Sequence, residues 1–180
     1  MRSSFRFGSS LVVALALVWC GAARAADNMT NADTSPQDIL SKIHTVNQQE
    51  IKMAKLAMQK GHSPEVKQFA QRMIKDHTKA DQKVAKLAKQ EGFTLGQVPM
   101  TAQQQGQMEK LASTSGTEFD RAYMEANRVG HHMAVEMLKN AEQQTSDAKV
   151  KSLVTQLLPT VEHHDQMAEQ IHPGSGKSSS

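Results

Sequence analysis

The chain has 180 residues, with 21 Lys or Arg, 18 Asp or Glu, eight His and a single Cys. Aromatic residues make up only 4% of it, a scarcity that suits packed helices and disfavours a β-sheet. The formal charge of only +3 gives no support for nucleic-acid binding, which requires clustered Lys and Arg opposite phosphates.

Residues 1–25 have the pattern of a cleaved secretory signal peptide. Arg2 and Arg6 provide a basic start, and residues 11–19 form an apolar run too short to span a bilayer. The small residues on either side of Arg24 resemble a cleavage site, which we place after Ala25. We therefore expect an exported, periplasmic protein.

The segment that follows the predicted cleavage site contains one domain. We expect residues 26–37 to be flexible, residues 38–172 to form the folded domain, and residues 173–180 to be a disordered tail. The mature chain lacks Cys20, so it has no thiol, and its basic and acidic residues are equal at 18 each. It also contains no apolar stretch long enough for a transmembrane anchor, and its composition identifies no protein partner.

The first two long helices have clear start and stop signals. Helix one is predicted to begin near Ser35, followed by Pro36, and to end at Gly61. Helix two is predicted to begin at Ser63, also followed by Pro, and to end at Gly92. Each has an apolar stripe at alternating steps of three and four residues, which is typical of an amphipathic helix.

The second half of the chain contains one short and two long helical segments. After a connection over residues 93–101, a short helix is predicted over residues 102–112. Helix three is predicted over residues 118–143, and helix four from residue 146 or 147 to about residue 171. The connections at residues 61–63 and 144–146 are short, so helices one and two, and helices three and four, should be antiparallel neighbours.

Each long helix carries one ionisable residue on its apolar stripe. These residues are Glu50, His77, His131 and His164. Their distances along the helices from the shared turns differ by roughly 5–8 Å, about one helical turn, so all four side chains are expected in one interior layer. The adjacent His132 and His163 fall on polar rows and are expected to face solvent.

Several of these residues also occur in motifs that carry a family resemblance. The motifs are Glu50-Ile51 with Lys55-Leu56-Ala57, the run from Phe69 to His77, the run from Phe119 to Met124, His131 with Val135, and Leu158-Pro159-Thr160 ahead of His164. Over roughly residues 38–171 the chain resembles the exported bacterial family catalogued as domain of unknown function 4142. The resemblance implies a ferritin-like antiparallel four-helix bundle in the periplasm or at the outer membrane, without an established activity.

The interior residues suit one metal ion better than two. A ferritin-type di-iron site needs Glu-x-x-His on two helices, whereas Ile74 and Val161 stand three residues before His77 and His164. Three imidazoles and one carboxylate instead suit a single Zn²⁺, Cu²⁺, Mn²⁺ or Fe²⁺ ion. Asp76 and Asp81 are the predicted partners that orient His77.

Methionine offers a further route to a soft ion, because its thioether binds Cu(I). Five Met residues nevertheless have the spacing of core positions, where Met usually fills space, and we favour core packing for Met53, Met73, Met124, Met133 and Met137.

Three hypotheses about function remain open. The favoured one is an exported bundle with a binding or stress-protection role, whose interior holds one metal ion or a polar layer. The alternatives are a structural or interaction protein with a buried polar layer, and a mononuclear metal oxidoreductase. The sequence contains no supported acid–base pair, phosphate-binding loop or Ser-His-Asp arrangement, and this favours a non-enzymatic role.

Overall fold

The computed structural model describes residues 35–174, which form five helices. The helices are α1 (Pro36–Lys60), α2 (Pro64–Glu91), α3 (Ala102–Ser113), α4 (Gly116–Gln144) and α5 (Ala148–Gln170). No residue in that range belongs to a β-strand. The predicted all-α fold, with a short helix between the second and third long helices, is confirmed. The predicted signal peptide, the segment at residues 26–34 and the tail from residue 175 lie outside the described residues.

Three of the four long helices begin with a side chain that accepts hydrogen bonds from the first turn. Ser35 Oγ accepts from the Asp38 N–H at 3.2 Å, and Ser63 Oγ accepts from the Val66 N–H at 3.4 Å. Asp147 Oδ1 accepts two backbone N–H bonds at the start of α5. These bonds satisfy N–H groups that have no partner within the helix, which explains why the predicted starts are accurate to within two residues.

The long helices pack as two pairs. Helix α1 packs mainly against α2, and α4 mainly against α5, because turns of only a few residues connect the members of each pair. Helices α2 and α5, and α1 and α4, make the contacts that join the two pairs into a bundle.

The interior of the bundle contains two apolar clusters, one towards each end. The first includes Ala54, Ala57, Phe69, Met73, Phe119, Tyr123, Met124 and Ala168. The second includes Ile39, Ile43, Val84, Leu87, Leu138, Val150, Val154 and Leu157. On every long helix the interior Glu or His lies between the residues of the first cluster and those of the second. The polar residues therefore form a layer across the middle of an otherwise apolar core.

A buried carboxylate fixes the turn between α1 and α2 against the start of α4. Asp120 is fully buried, and its two oxygens accept from the backbone N–H groups of His62 at 3.0 Å and Ser63 at 2.7 Å. A Cβ at Gly61 would lie 3.1 Å from Asp120 Oδ1 and 2.6 Å from the Ala57 carbonyl oxygen, so this close approach requires glycine.

The connection over residues 93–101 lies along α1. The backbone N–H of Gly96 donates to Ser41 Oγ at 3.1 Å, and that of Val98 donates to Thr45 Oγ1 at 3.0 Å. Because these hydroxyls lie one helical turn apart, two hydrogen bonds align an extended segment with the helix axis. The segment explains why Ser41 and Thr45 are buried although they lie off the apolar stripe.

One predicted core position is wrong. Met133 is 61% exposed, because it follows the interior His131 by two residues and therefore lies on the far side of α4. Met73 and Met124 are fully buried, whereas Met53 and Met137 are partly buried and pack against the clusters. Among residues 35–174, no helix has the length and apolar character needed to cross a membrane.

Candidate metal centre

The middle layer of the bundle contains one ionisable side chain from each long helix. Glu50 on α1, His77 on α2, His131 on α4 and His164 on α5 are all between 1% and 7% exposed. Their neighbours His132 and His163 are exposed, as predicted. The helix periodicity therefore identified which histidine of each adjacent pair is inside.

The three histidines form a compact triangle. Their ring centroids lie 5.8 Å apart for His77 and His131, 5.3 Å for His77 and His164, and 5.4 Å for His131 and His164. One ring nitrogen from each residue lies within 4.8 Å of the other two. Nitrogens that bind one ion at 2.0–2.1 Å are about 3.3 Å apart in a tetrahedral site, so binding would draw the rings together by up to about 1.5 Å.

Each ring is held by a hydrogen bond through its other nitrogen. His77 Nδ1 lies 2.8 Å from Asn47 Oδ1, and His131 Nδ1 lies 3.0 Å from the backbone carbonyl oxygen of Asn127. His164 Nε2 lies 3.2 Å from Asp76 Oδ2. All three partner oxygens are acceptors, so in a neutral ring the nitrogen that faces them carries the proton and donates.

The partners therefore set the tautomer of each ring. The nitrogens left without a proton are Nε2 of His77, Nε2 of His131 and Nδ1 of His164. All three are buried and have no hydrogen-bond partner among the described residues. Because a deprotonated imidazole nitrogen can only accept, the three rings cannot satisfy one another. Each ring therefore presents one lone pair that no described residue engages.

Burial keeps the rings neutral. It lowers the pKa of His77 well below 6.5, and positive charge on His131 or His164 would lower it further. Burial also lowers the pKa of His131, against the opposing charge of Glu50, and that of His164, against the opposing hydrogen bond and charge of Asp76. At neutral pH the three nitrogens are thus available to a metal ion without the loss of a proton.

Glu50 lies beside the triangle and is not a member of the group of three. Burial raises the pKa of Glu50, and the nearby His131 opposes that rise. Its Oε2 has no hydrogen-bond partner in the described part of the chain, and the same holds for Asn47 Nδ2. Burial and the charge of Glu50 together raise the pKa of Tyr123 well above 10. The carboxyl group can offset positive charge in the layer, but it does not share the point at which the histidines meet.

The hydrogen bonds of both predicted orienting carboxylates go to histidines other than His77. Asp76 bonds to His164, because adjacent residues on a helix point about 100° apart and Asp76 faces α5. Asp81 Oδ1 lies 2.6 Å from His44 Nδ1, and its Oδ2 accepts from Gln48 Nε2 at 2.6 Å. The prediction that these two residues orient His77 is therefore wrong. Asp76 is hydrogen-bonded to a different histidine of the layer, His164.

The residues that hold His77 and His131 were not among those predicted from the sequence. Asn47 lies three residues before Glu50, and Asn127 lies four residues before His131. Both have the spacing of an inward position, and both are buried. The inward spacing of Asn47 was the available signal, whereas His131 is held by a backbone carbonyl, which residue type does not reveal.

A cavity of about 260 Å³ adjoins the triangle. His77 and His164 form part of its wall, together with Asn47 and Asp76. Most of the remaining wall is apolar and comes from all four long helices, with Ile43, Val46, Ala80, Ala134, Met137, Leu138, Leu157 and Val161. The layer is therefore buried and also adjoins a space that could admit a small ligand.

Solved structures with the same fold include metal-bound proteins. CopM in its Cu(I)-bound form is 22% identical, with a TM-score of 0.64 over 76% of this chain and 94% of that one. CopM in its Cu(II)-bound form is 20% identical, with a TM-score of 0.64 over 75% and 93%. A DUF305 protein from Streptomyces coelicolor, described as secreted, is 13% identical, with a TM-score of 0.64 over 77% and 92%. At these identities the likeness shows a shared helical-bundle fold.

The sequence comparisons identify the family. Among curated proteins, none is similar enough to count as a relative. The sequence profile of a domain of unknown function, DUF4142, matches residues 21–171, which include all the residues of the polar layer. The chain therefore belongs to the DUF4142 family.

Proposed function

We propose that this protein is an exported metal-binding protein that holds one transition-metal ion inside its helical bundle. His77, His131 and His164 are the ligands, and Asn47, the Asn127 carbonyl and Asp76 hold the rings in the required tautomers. The observation that carries this proposal is the group of three buried histidines, in which one ring nitrogen of each lies within 4.8 Å of the others and one ring nitrogen of each has no partner among the described residues.

A purely structural polar layer explains these nitrogens less well. Buried polar atoms are paired in the large majority of cases, because each unpaired one costs about 1–3 kcal/mol. Three buried acceptors without a partner among the described residues would leave that cost uncompensated. A single cation would satisfy all three at once.

Copper is the leading candidate for the ion. Three imidazoles with no thiolate suit copper and zinc, and the bundles of similar fold include CopM in Cu(I)-bound and Cu(II)-bound forms. A monovalent Cu(I) ion loses less hydration energy on burial than Zn²⁺, because that energy grows with the square of the charge. Glu50, which interacts with His131, can offset the positive charge.

The predicted signal peptide and the likeness in fold to a protein described as secreted support an exported location. An exported protein that holds one copper ion inside a bundle would have a metal-binding or stress-protection role. The ion would be bound through neutral ligands, between the two apolar clusters.

The adjacent histidines of α4 provide a matched test of the ligand set. His131→Ala should weaken Cu(I) binding by at least about 100-fold, because it removes one of three ligands and leaves a gap in the layer. His132→Ala should leave the affinity within about threefold of the original value, because that ring faces solvent. The affinities can be measured by competition with a colorimetric Cu(I) chelator.

Equal affinity in the two variants would contradict the proposed ligand set. Circular dichroism of both proteins serves as a control for folding. A His131→Ala protein that keeps its helical signal and loses copper binding would separate a loss of ligation from a loss of structure.

A further inference from the structure

Glu50 brings a carboxyl group to the side of the proposed metal site. It lies on α1, is 7% exposed and belongs to the same layer as the three histidines. A Cβ at Gly130 would lie 3.7 Å from Glu50 Oε1, so the carboxyl group approaches the backbone of α4 at the residue before His131. Glu50 is therefore close to a proposed ligand without being one of the three ligands.

The surroundings leave the charge of this carboxyl group unbalanced. Glu50 Oε2 has no hydrogen-bond partner in the described part of the chain, and no Lys or Arg among residues 35–174 is buried. Apolar clusters lie on both sides of the layer. Because charges interact more strongly in such an interior than in water, an ionised Glu50 would attract an ion that the histidines hold.

The strength of that attraction depends on the charge of the ion. The Coulomb energy is proportional to the product of the two charges, so a carboxylate stabilises a divalent ion twice as much as a monovalent ion in the same place. For copper, this effect favours Cu(II) over Cu(I) and lowers the reduction potential. Burial acts in the opposite direction, because the loss of hydration energy is larger for a divalent ion. The balance between the two effects then depends on one buried carboxylate.

We infer that Glu50 determines which ionic charge the site accepts, and that its carboxylate allows the three buried histidines to hold a divalent ion as well as a monovalent one. This inference rests on the proposed metal site and adds a residue that controls its selectivity. Glu50 acts through its charge and not as a ligand, so its removal has a different effect on ions of different charge.

The test compares two ions in the mature Glu50→Gln protein. Glutamine has nearly the shape of glutamate and no charge, so the substitution removes a buried charge without opening a gap. The affinity for Cu(I) should fall about tenfold and that for Zn²⁺ about 100-fold, because the attraction doubles with the charge of the ion. A change in the ring positions alone would not produce this squared relation. Competition with colorimetric chelators measures both affinities.

The reduction potential of the copper-loaded protein gives a second measurement. If the affinity for Cu(II) falls tenfold more than that for Cu(I), the potential rises by about 59 mV, the value for a tenfold change in a one-electron couple. Equilibrium titration against redox mediators of known potential measures this rise. A loss of affinity that is equal for both oxidation states leaves the potential unchanged.

Two further variants separate the charge of Glu50 from its other contributions. Glu50→Asp keeps a carboxylate in the layer and should retain most of the Zn²⁺ affinity that Glu50→Gln loses. Glu125→Gln removes an exposed carboxylate from α4, where it pairs with Arg128. Because solvent screens that charge, both affinities should stay within about threefold of the original values.

The outcomes separate the inference from the metal site on which it rests. A mature protein that binds neither Cu(I) nor Zn²⁺ would overturn both. Unchanged affinities in Glu50→Gln, equal factors of loss for the two ions, or an unchanged reduction potential would overturn the inference alone. The same holds if a folded Glu50→Asp protein loses as much Zn²⁺ affinity as Glu50→Gln.

Discussion

Individual hydrogen bonds determine which nitrogen of each imidazole ring has a lone pair free for a metal ion. An acceptor beside one nitrogen of each imidazole places the proton there and leaves the lone pair of the other nitrogen unpaired. The partners differ, since one is a side-chain amide, one a backbone carbonyl and one a carboxylate, yet each leads to the same protonation state. Metal-binding histidines commonly have such partners, which fix the ring orientation.

Asp76 provides a direct test of this arrangement. Asp76→Ala should lower metal affinity roughly 10–100-fold, because His164 loses the acceptor that fixes its tautomer and orientation. Asp81→Ala is the matched control, because Asp81 lies on the same helix and bonds to His44, which is not in the group. Calorimetric titration of both variants measures the difference, and equal losses would contradict the assignment of Asp76 to His164.

The lowered pKa values of the inner histidines predict a pH dependence of stability. In the unfolded chain these groups titrate near 6.5, so below that pH the unfolded state binds more protons than the folded state. Their contribution to the free energy of unfolding is fully present above pH 6.5. It is lost as the pH falls towards the lower pKa values of the folded state. The raised pKa of Glu50 acts in the opposite direction, so the metal-free Glu50→Gln protein isolates the histidines.

The measurement is urea unfolding of the metal-free Glu50→Gln protein between pH 8 and pH 5. Its free energy of unfolding should fall on acidification more steeply than that of the same protein with Leu at positions 77, 131 and 164. Parallel curves for the two proteins would show that the inner rings do not titrate as their burial requires.

Helix ends and turns position the helices so that the residues of the layer meet. The Asp120 carboxylate connects the α1–α2 turn to the start of α4, and the two hydroxyls of α1 hold the connection over residues 93–101. These contacts lie outside the polar layer, but they set the alignment of helices that each contribute one residue to it.

Removal of the Asp120 carboxylate should therefore destabilise the whole bundle. Asp120→Ala leaves the N–H groups of His62 and Ser63 without their acceptor, and we expect a loss of about 2–4 kcal/mol in the free energy of unfolding. Glu118→Ala removes an exposed carboxylate from the same helical turn and should cost less than about 1 kcal/mol. Urea unfolding of the two variants measures the difference. Similar losses in the free energy of unfolding would show that the turn is held by other contacts.

For the molecule as a whole, much of the fold could be predicted from the sequence. Pro and Ser at helix starts, Gly at helix ends and a regular apolar stripe predicted the four long helices within a few residues. The same stripes placed three histidines inside, and they now lie in one group. Periodicity gives the face of a helix on which a residue lies, and this was sufficient for these positions.

What the sequence could not predict depends on the packing between helices. Asp76 and Asp81 lie on known faces of α2, but the helix that each contacts depends on how the bundle is assembled. Met133 is an exception, because its place two residues after the inward His131 puts it on the far side of α4, and periodicity was sufficient to exclude it from the core. The distance of Glu50 from the histidine triangle likewise requires the three-dimensional arrangement.

The most direct test of the central claim is the metal content of the mature protein. The protein should be purified without a chelator or an affinity tag and analysed by mass spectrometry. We predict close to one equivalent of a transition metal per chain, lost in the His77→Ala variant and retained in the His163→Ala variant. A protein that carries no metal, and that also fails to bind added copper or zinc, would contradict the account.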